Sequence, residues 1–430
     1  MIHEEDMVVP TNKKTKNQKS NSAVTTVAMS SNPGPFKLER YFGIHEFTAK
    51  VLLSSSDVES LSLKDLLQHA KDGNDTASLS EWENLSLGYT ESQGHPELLK
   101  EIAKTYTGAP IEAQHILEIA PEEGILIAMS NLIAAGDTAI VAWPAYQSLY
   151  EVAKARGATV LKWQFHRGGS DDQASHAFDV SDLEAQIAAV EASGGKVKLV
   201  VINFPHNPTG AWLTPSCLER VVSAAEKAGA WIFSDEMYRG LEHGSSPSLP
   251  SACELYERAV CLSGMSKVYA LPGLRMGWLA CRDAGFMQGA ISYKDYTTIC
   301  GSAPSQVLAL MAIRQRAAIV QRSKKIVEDG LAAVTAFCLE HSEKFDFAKP
   351  LAGPVAYLRI KGDGLTSADA QDYSGASHWP APPAPCSSRS LSEASWMTIS
   401  SPPRAARLPL RHRATRQGDR SDGHRRYHVR

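Results

Sequence analysis

Between about residues 116 and 283 the chain repeats one pattern, a short β-rich apolar run followed by an amphipathic stretch. The runs are ILEIA (116–120), TAIVA (138–142), TVLKW (159–163), KLVVIN (198–203), AWIFSD (230–235), RAVCLS (258–263) and GWLACR (277–282). Such alternation predicts an α/β fold, a mostly parallel sheet with helices on both faces. The stretch after the first run supports this: Ile125, Met129, Leu132 and Ile133 share one helical face, Pro121 suits the first turn and Gly136 the stop. The segment LTPSCLERVVSAAEKAGA (213–230) repeats the grammar, with Thr214 placed to cap, Pro215 in the first turn and Gly229 at the end.

At 430 residues the chain exceeds one small core and predicts a large α/β unit plus a smaller one. Residues 1–35, rich in Lys, Asn, Ser and Thr without an apolar core segment, read as a disordered leader rather than a secretory signal. An organellar presequence is the weaker alternative, because the chain opens on the acidic MIHEED. Residues 36–110 read as an N-terminal arm and part of a small domain, 111–300 as the sheet domain, and 301–362 as linking helices with a small-domain strand in GPVAYLRIKG (353–362). Residues 363–430 form a Pro/Arg-rich tail. From 376 onward it carries ten arginines and seven prolines against three acidic residues, with no apolar period, which predicts disorder and a segment foreign to the preceding fold, as from an altered reading frame or splice junction.

A formal charge of −3 with 43% apolar residues gives no global cue to nucleic acid or membrane. The arginine tail has neither aromatic interleaving nor a recognition module, so no nucleic-acid partner is expected. No apolar run approaches the roughly 20 residues that span a bilayer. Seven scattered cysteines, an odd number without metal spacing, favour a reducing compartment, the cytoplasm, and no metal site.

Four signals lie at strand ends, where open α/β sheets bind ligands. NFPHNPTG (203–210) is a turn cluster; FSDEMYRG (233–240) places Asp235 at a strand end with Tyr238 three residues on. Standing alone, the first is a plain β-turn and Asp235 a helix cap. SGMSKVYALPGLRMGW (263–278) holds Lys267 among small residues with Arg275 eight positions later. A lone lysine is usually a solvated charge, yet here small residues permit close approach and Arg275 offers a fork for a phosphate dianion. In PAYQSLY (144–150), Tyr146 is either ordinary core or a stacking surface for a flat ring.

The ordered set NPTG, SDEMY, SK and PGLRMGW resembles the class I/II (fold type I) pyridoxal-phosphate-dependent aminotransferases, over residues from about 36 to 360. The resemblance implies a fold type I large domain with a mostly parallel seven-stranded sheet, a smaller α/β domain from both chain ends, a homodimer, and pyridoxal 5'-phosphate as cofactor. It makes Lys267 the lysine that forms a Schiff base with the cofactor aldehyde and then moves the substrate proton. Asp235 matches the carboxylate facing the ring nitrogen, Asn207 and Tyr238 the groups on the ring oxygen, Arg275 the phosphate-binding arginine and Tyr146 the stacking aromatic. The segment YTESQGHPELLKEIA (89–103) makes Tyr89 either a reach to the neighbouring subunit's phosphate or a buried helix-start aromatic.

Three departures stand out. Where the family opens its phosphate turn with glycine and hydroxyl residues, this chain has APEEGI (120–125), leaving the backbone N–H groups of Glu122 and Glu123 to point at the phosphate. The usual serine three before the lysine is Gly264, so Ser266 or Ser263 must supply the hydroxyl. No segment after 362 matches the arginine that clamps the substrate carboxylate. The leading reading is a transaminase acting on an amino acid and a 2-oxo acid. Its alternatives are elimination, replacement or cyclisation on the same cofactor, and a cofactor-binding protein impaired by the missing clamp.

Overall fold

A computed structural model describes residues 32–48, 54–166, 178–244, 246–361 and 396–398. The seven apolar runs become β1 (Ile116–Ile119), β2 (Thr138–Trp143), β3 (Thr159–Gln164), β4 (Val197–Asn203), β5 (Trp231–Asp235), β6 (Ala259–Gly264) and β7 (Gly277–Ala280). They form one sheet in the order β1-β7-β6-β5-β4-β2-β3. Within it β7 pairs antiparallel with β1 and β6, and every other ladder is parallel. Helices cover both faces, so β4 and β5 read as nearly continuous apolar runs, with Leu199, Val200, Val201, Ile232 and Phe233 buried.

Between strands run α5 (Pro121–Leu132), α6 (Ser148–Ala155), α7 (Val180–Ala192) and α8 (Pro215–Ala228), with the single turn α9 (Ala252–Leu255) before β6. Thr214 caps α8 as its sequence predicts, accepting the Cys217 N–H at 3.2 Å, and Gly229 closes it in the left-handed region at φ 62°. One stop differs: α5 ends at Leu132 with Ile133 already extended, so Gly136 serves the turn into β2 and not the helix end. The N-terminal arm supplies α1 (Lys37–His45), α2 (Leu63–Asp72), α3 (Thr76–Glu83) and α4 (Pro96–Ala103). Beyond the sheet come α10 (Ala284–Lys294), α11 (Ala303–Arg314) and α12 (Arg316–Glu340).

A second, antiparallel sheet joins β8 (Phe345–Phe347), β9 (Val355–Ile360) and β10 (Trp396–Thr398). Leu331, Cys338, Ala356 and Leu358 form a small cluster of their own beside it. β10 falls inside the tail read as lacking order: three residues pair with β9 at a point where no apolar period signals a strand. The remainder of 362–430 and residues 1–31 lie outside the described residues.

Winding reverses between β2, whose chain continues outward to β3, and β4, whose chain continues the other way to β5. Ligands of open α/β sheets bind at such a switch, beyond the carboxyl ends of the strands. Next to it, β6 and β7 approach unusually closely. Gly264 and Gly277 are register partners. A Cβ on Gly264 would lie 2.9 Å from the Gly277 Cα and the Met276 carbonyl oxygen, and one on Gly277 2.6 Å from the Ser263 carbonyl oxygen and 3.0 Å from Pro121. That contact leaves no room for the serine expected at 264. Gly277→Ala should therefore cost about 1–3 kcal/mol through overpacking, read as a lowered urea midpoint. An unchanged midpoint would mean that the backbones part without penalty.

Candidate active site

Five of the predicted residues, Asn207, Asp235, Tyr238, Ser266 and Lys267, follow directly from the carboxyl ends of the adjacent strands β4, β5 and β6. Asn203 and Asp235 are partners in the parallel ladder. The buried Asn203 side chain donates to the Asp235 carbonyl oxygen at 2.8 Å and accepts the Asn207 N–H at 2.9 Å, so one amide ties both strand ends to the NPTG turn. Asn207 Nδ2 then donates to the Tyr238 hydroxyl at 3.3 Å. His206, in the same turn, is buried and shares a 2.7 Å hydrogen bond with Thr209, in keeping with a turn role.

Asp235 is buried, and its Oδ1 accepts the Met237 N–H at 3.1 Å. Burial pushes this carboxyl up to about 7, while the Met237 N–H and the Lys267 ammonium pull it back only in part. Lys267 shifts the opposite way. Its half-buried Nζ donates to Ser56 Oγ at 3.0 Å, and burial lowers its proton affinity against the pull of Asp57 and then Asp235. A desolvated lysine of this kind is suited to nucleophilic and base chemistry. Beside it the Ser266 hydroxyl is buried without a hydrogen-bond partner among the described residues. Such an orphan costs about 1–3 kcal/mol unless a ligand satisfies it.

α5 begins on Ala120, which has no capping side chain, and Pro121 brings no N–H. The Glu122 and Glu123 N–H groups thus stand without helical acceptors at the positive end of the helix. Glu122 lies near Tyr146 and Ser148; surrounding protein raises the proton affinity of its carboxyl although part of the side chain meets solvent. Glu123 is engaged elsewhere, its Oε1 accepting from the hydroxyls of Thr297 and Thr298, the latter at 2.9 Å. Arg275 sits at φ 51° after the Pro272–Leu274 turn, exposed, with Nη1 donating to the Pro272 carbonyl oxygen at 3.0 Å. Its charge acts on both Glu122 and Lys267, so the helix end, the arginine and the lysine share one neighbourhood.

Tyr146, on the chain after β2, is half-buried; its hydroxyl donates to Glu39 of α1 at 3.2 Å and its ring lies 5.2 Å from Phe36. Burial and the nearby Glu122 and Glu39 hold the phenol well above its ordinary range. Tyr89 is not gathered in. It is 92% exposed, so it is no buried helix-start aromatic in this chain. Ser263, the other hydroxyl considered, is the register partner of Trp278 within the β6–β7 ladder. The missing carboxylate clamp falls on 362–430, outside the described residues apart from 396–398. Among the described residues no group of His, Cys, Asp and Glu is arranged to hold a metal ion, and no helix is long and apolar enough to cross a membrane.

Sequence reasoning missed Asn203, Ser56, Asp57 and Glu39. Asn203 had a usable signal, a polar residue ending an apolar run. The other three reach the site only through the fold, Ser56 meeting a lysine 211 positions away.

The Asp235 shift has a definite pH signature. An unfolded aspartate loses its proton near pH 4, the folded one near 7. Between these values the folded chain holds the extra proton, so this group's contribution falls as pH rises from about 4 to about 7 and is constant above. In protein without added cofactor, the urea midpoint of wild type relative to Asp235→Asn should drop across that window. A flat or rising difference would refute the buried, protonated carboxyl.

The family model for "Aminotransferase class I and II" matches residues 48–361. Capreomycidine synthase of Streptomyces vinaceus is 26% identical over 238 residues, 55% of this chain and 58% of that protein's length. Aspartate aminotransferase of Thermococcus kodakarensis is 28% identical over 284 residues, 66% of this chain and 69% of its own. Among solved structures, a PLP-dependent aminotransferase from Streptococcus suis 89-1591 superposes with TM-score 0.69 at 28% identity, covering 78% of this chain and 85% of that one. A PLP-dependent cyclase shares the fold with TM-score 0.68 at 22% identity, covering 80% and 85%. With the strand-end constellation and the seven-stranded sheet, the match over residues 48–361 establishes the lineage: the chain belongs to the class I and II aminotransferases.

Proposed function

We propose that the protein is a pyridoxal-phosphate-dependent transaminase that moves an amino group between an amino acid and a 2-oxo acid. The observation that carries this reading is the conjunction of Lys267, its proton affinity lowered by burial, with the buried Asp235 and the Asn207–Tyr238 pair at three neighbouring strand ends. The residues suit the cofactor on several counts. An uncapped helix start, Arg275 and the unpartnered Ser266 hydroxyl make a donor set for a phosphate. Asp235 is a buried carboxylate that a protonated ring nitrogen would stabilise. Asn207 and Tyr238 supply donors for a ring oxygen, and Tyr146 a flat face.

When bound, pyridoxal phosphate supplies an electron sink for charge developing on the substrate α-carbon. The chain supplies the rest. Lys267 would hold the cofactor covalently and, once released, would take a proton at Nζ and return it, a task that the burial lowering its proton affinity favours. Asp235 would keep the ring nitrogen charged, and the Asn203 amide fixes the end of β5 that carries it against the turn that carries Asn207. The substrates are an amino acid and a 2-oxo acid, both small molecules. A second copy of the chain completes the site; Tyr89, Leu87 and Tyr296 are 92%, 80% and 91% exposed, large side chains of the kind a partner covers.

The test combines a spectrum and a transfer assay on the full chain. With pyridoxal phosphate the wild type should gain a visible absorbance band that Lys267→Ala lacks. Incubation with an amino donor and a 2-oxo acid should yield the corresponding new amino acid, at a rate at least 10³-fold higher than for Lys267→Ala. Release of ammonia without a new amino acid would favour elimination chemistry, and a Lys267-dependent band with neither product would leave a cofactor-binding protein.

A further inference from the structure

We propose that Ser56 is a positioning residue for Lys267, its hydroxyl fixing the orientation of the amine that takes and returns the substrate proton. The inference rests on the reading of Lys267 as the lysine that bonds the cofactor. Its starting point is a direct contact. Lys267 Nζ donates to Ser56 Oγ at 3.0 Å across 211 positions of sequence, and both side chains are half-buried. It is the one hydrogen bond that this amine makes among the described residues.

The serine itself is firmly held. It lies between α1 and α2, in a segment anchored by the buried Val58, by the Leu61 N–H, which donates to the Ala270 carbonyl oxygen at 2.9 Å, and by Arg322, whose Nη1 donates to the Glu59 carbonyl oxygen at 2.8 Å. Ala270 sits at φ 55°, a left-handed conformation that a residue with a Cβ adopts only at a cost, and its N–H donates to the Lys267 carbonyl oxygen at 3.1 Å. The N-terminal arm therefore grips the lysine turn at two points, the Lys267 amine and the backbone three residues on. A neutral lysine amine carries two N–H groups and one lone pair. Donating one N–H to a fixed oxygen restricts rotation about the Cε–Nζ bond, so the lone pair keeps one direction. A hydroxyl suits the task because it is uncharged: it accepts the N–H without locking the amine in its protonated form, as a carboxylate in the same place would.

The test uses the full chain with Ser56→Ala and Ser56→Thr, each checked for folding by its urea midpoint. Without cofactor, the protein is treated with acetic anhydride across a pH series and acetylation of Lys267 is read by mass spectrometry. An oxygen that accepts from an ammonium favours the charged form, so the labelling midpoint should fall by about half a pH unit or more in Ser56→Ala. In Ser56→Thr, which keeps the hydroxyl, it should stay nearer the wild type. With pyridoxal phosphate, single-turnover loss of the visible band is followed with L-alanine, L-aspartate and L-arginine, each carrying hydrogen or deuterium on the α-carbon. For the donor that the wild type converts fastest, Ser56→Ala should lower the limiting rate about tenfold or more and change the half-saturating concentration less than about threefold. The deuterium effect should be at least as large as in the wild type, and Ser56→Thr should recover part of the rate. An unmoved labelling midpoint, an unmoved limiting rate, a smaller deuterium effect, a loss confined to half-saturation, or Ser56→Thr no better than Ser56→Ala would each overturn the proposal. If the wild type shows no Lys267-dependent band or converts none of the three donors, the functional reading is what fails, and the labelling midpoint still decides whether Ser56 orients the amine.

Discussion

The contact on which the site depends involves almost no side chain. Gly264 and Gly277 face each other across β6 and β7, and Pro121, the first residue of α5, packs against Gly277. Because nothing intervenes, the start of α5 is pressed onto the strand pair just where β6 runs out toward Lys267. The distance between a helix end suited to an anion and an amine suited to an aldehyde is thereby set by backbone packing. Backbone contacts of this kind have one arrangement, whereas a pair of interdigitating side chains has several rotamers, so the site gains rigidity from the absence of Cβ atoms.

Burial then acts on the acid and the base in opposite senses. It raises Asp235 to about 7 and lowers Lys267. Burial thus works against the charged form of each group, and nearby charges act on both. A cation beside Asp235 would draw it fully into the ionised form; loss of the lysine charge on covalent attachment would remove one of the influences that now favour that form. The Asn203 amide ties the end of β5, which carries Asp235, to the turn after β4 that carries Asn207.

Much of this was legible because it is local. Seven apolar runs gave seven strands, and Thr214 and Gly229 mark the ends of α8 by the chemistry their positions require. The NPTG and SK segments follow strand ends whose positions the pattern already indicates. What was illegible is long-range. Nothing in SSSD (54–57) says that Ser56 meets Lys267, and nothing in α1 says that Glu39 meets Tyr146. The early end of α5 is tertiary too: Ile133 is buried as an extended residue, so packing overrides the helical period that includes it. β10 pairs with β9 from a stretch whose composition argues against a strand, since a partner edge can order three residues that have no period of their own.

The replacement of serine by glycine at 264 looks, in sequence, like the loss of a phosphate donor. On the proposed reading it is a relocation. The β6–β7 contact excludes any side chain at 264, and two residues later Ser266 presents a buried hydroxyl with no hydrogen-bond partner among the described residues. A buried hydroxyl left unmatched is unfavourable, so its persistence beside Lys267 is explained most simply by a ligand atom that completes it. With Pro121 occupying the first turn of α5, the proposed phosphate end would rely on backbone N–H groups, Ser266 and Arg275 in place of the glycine and hydroxyl pattern usual in the family.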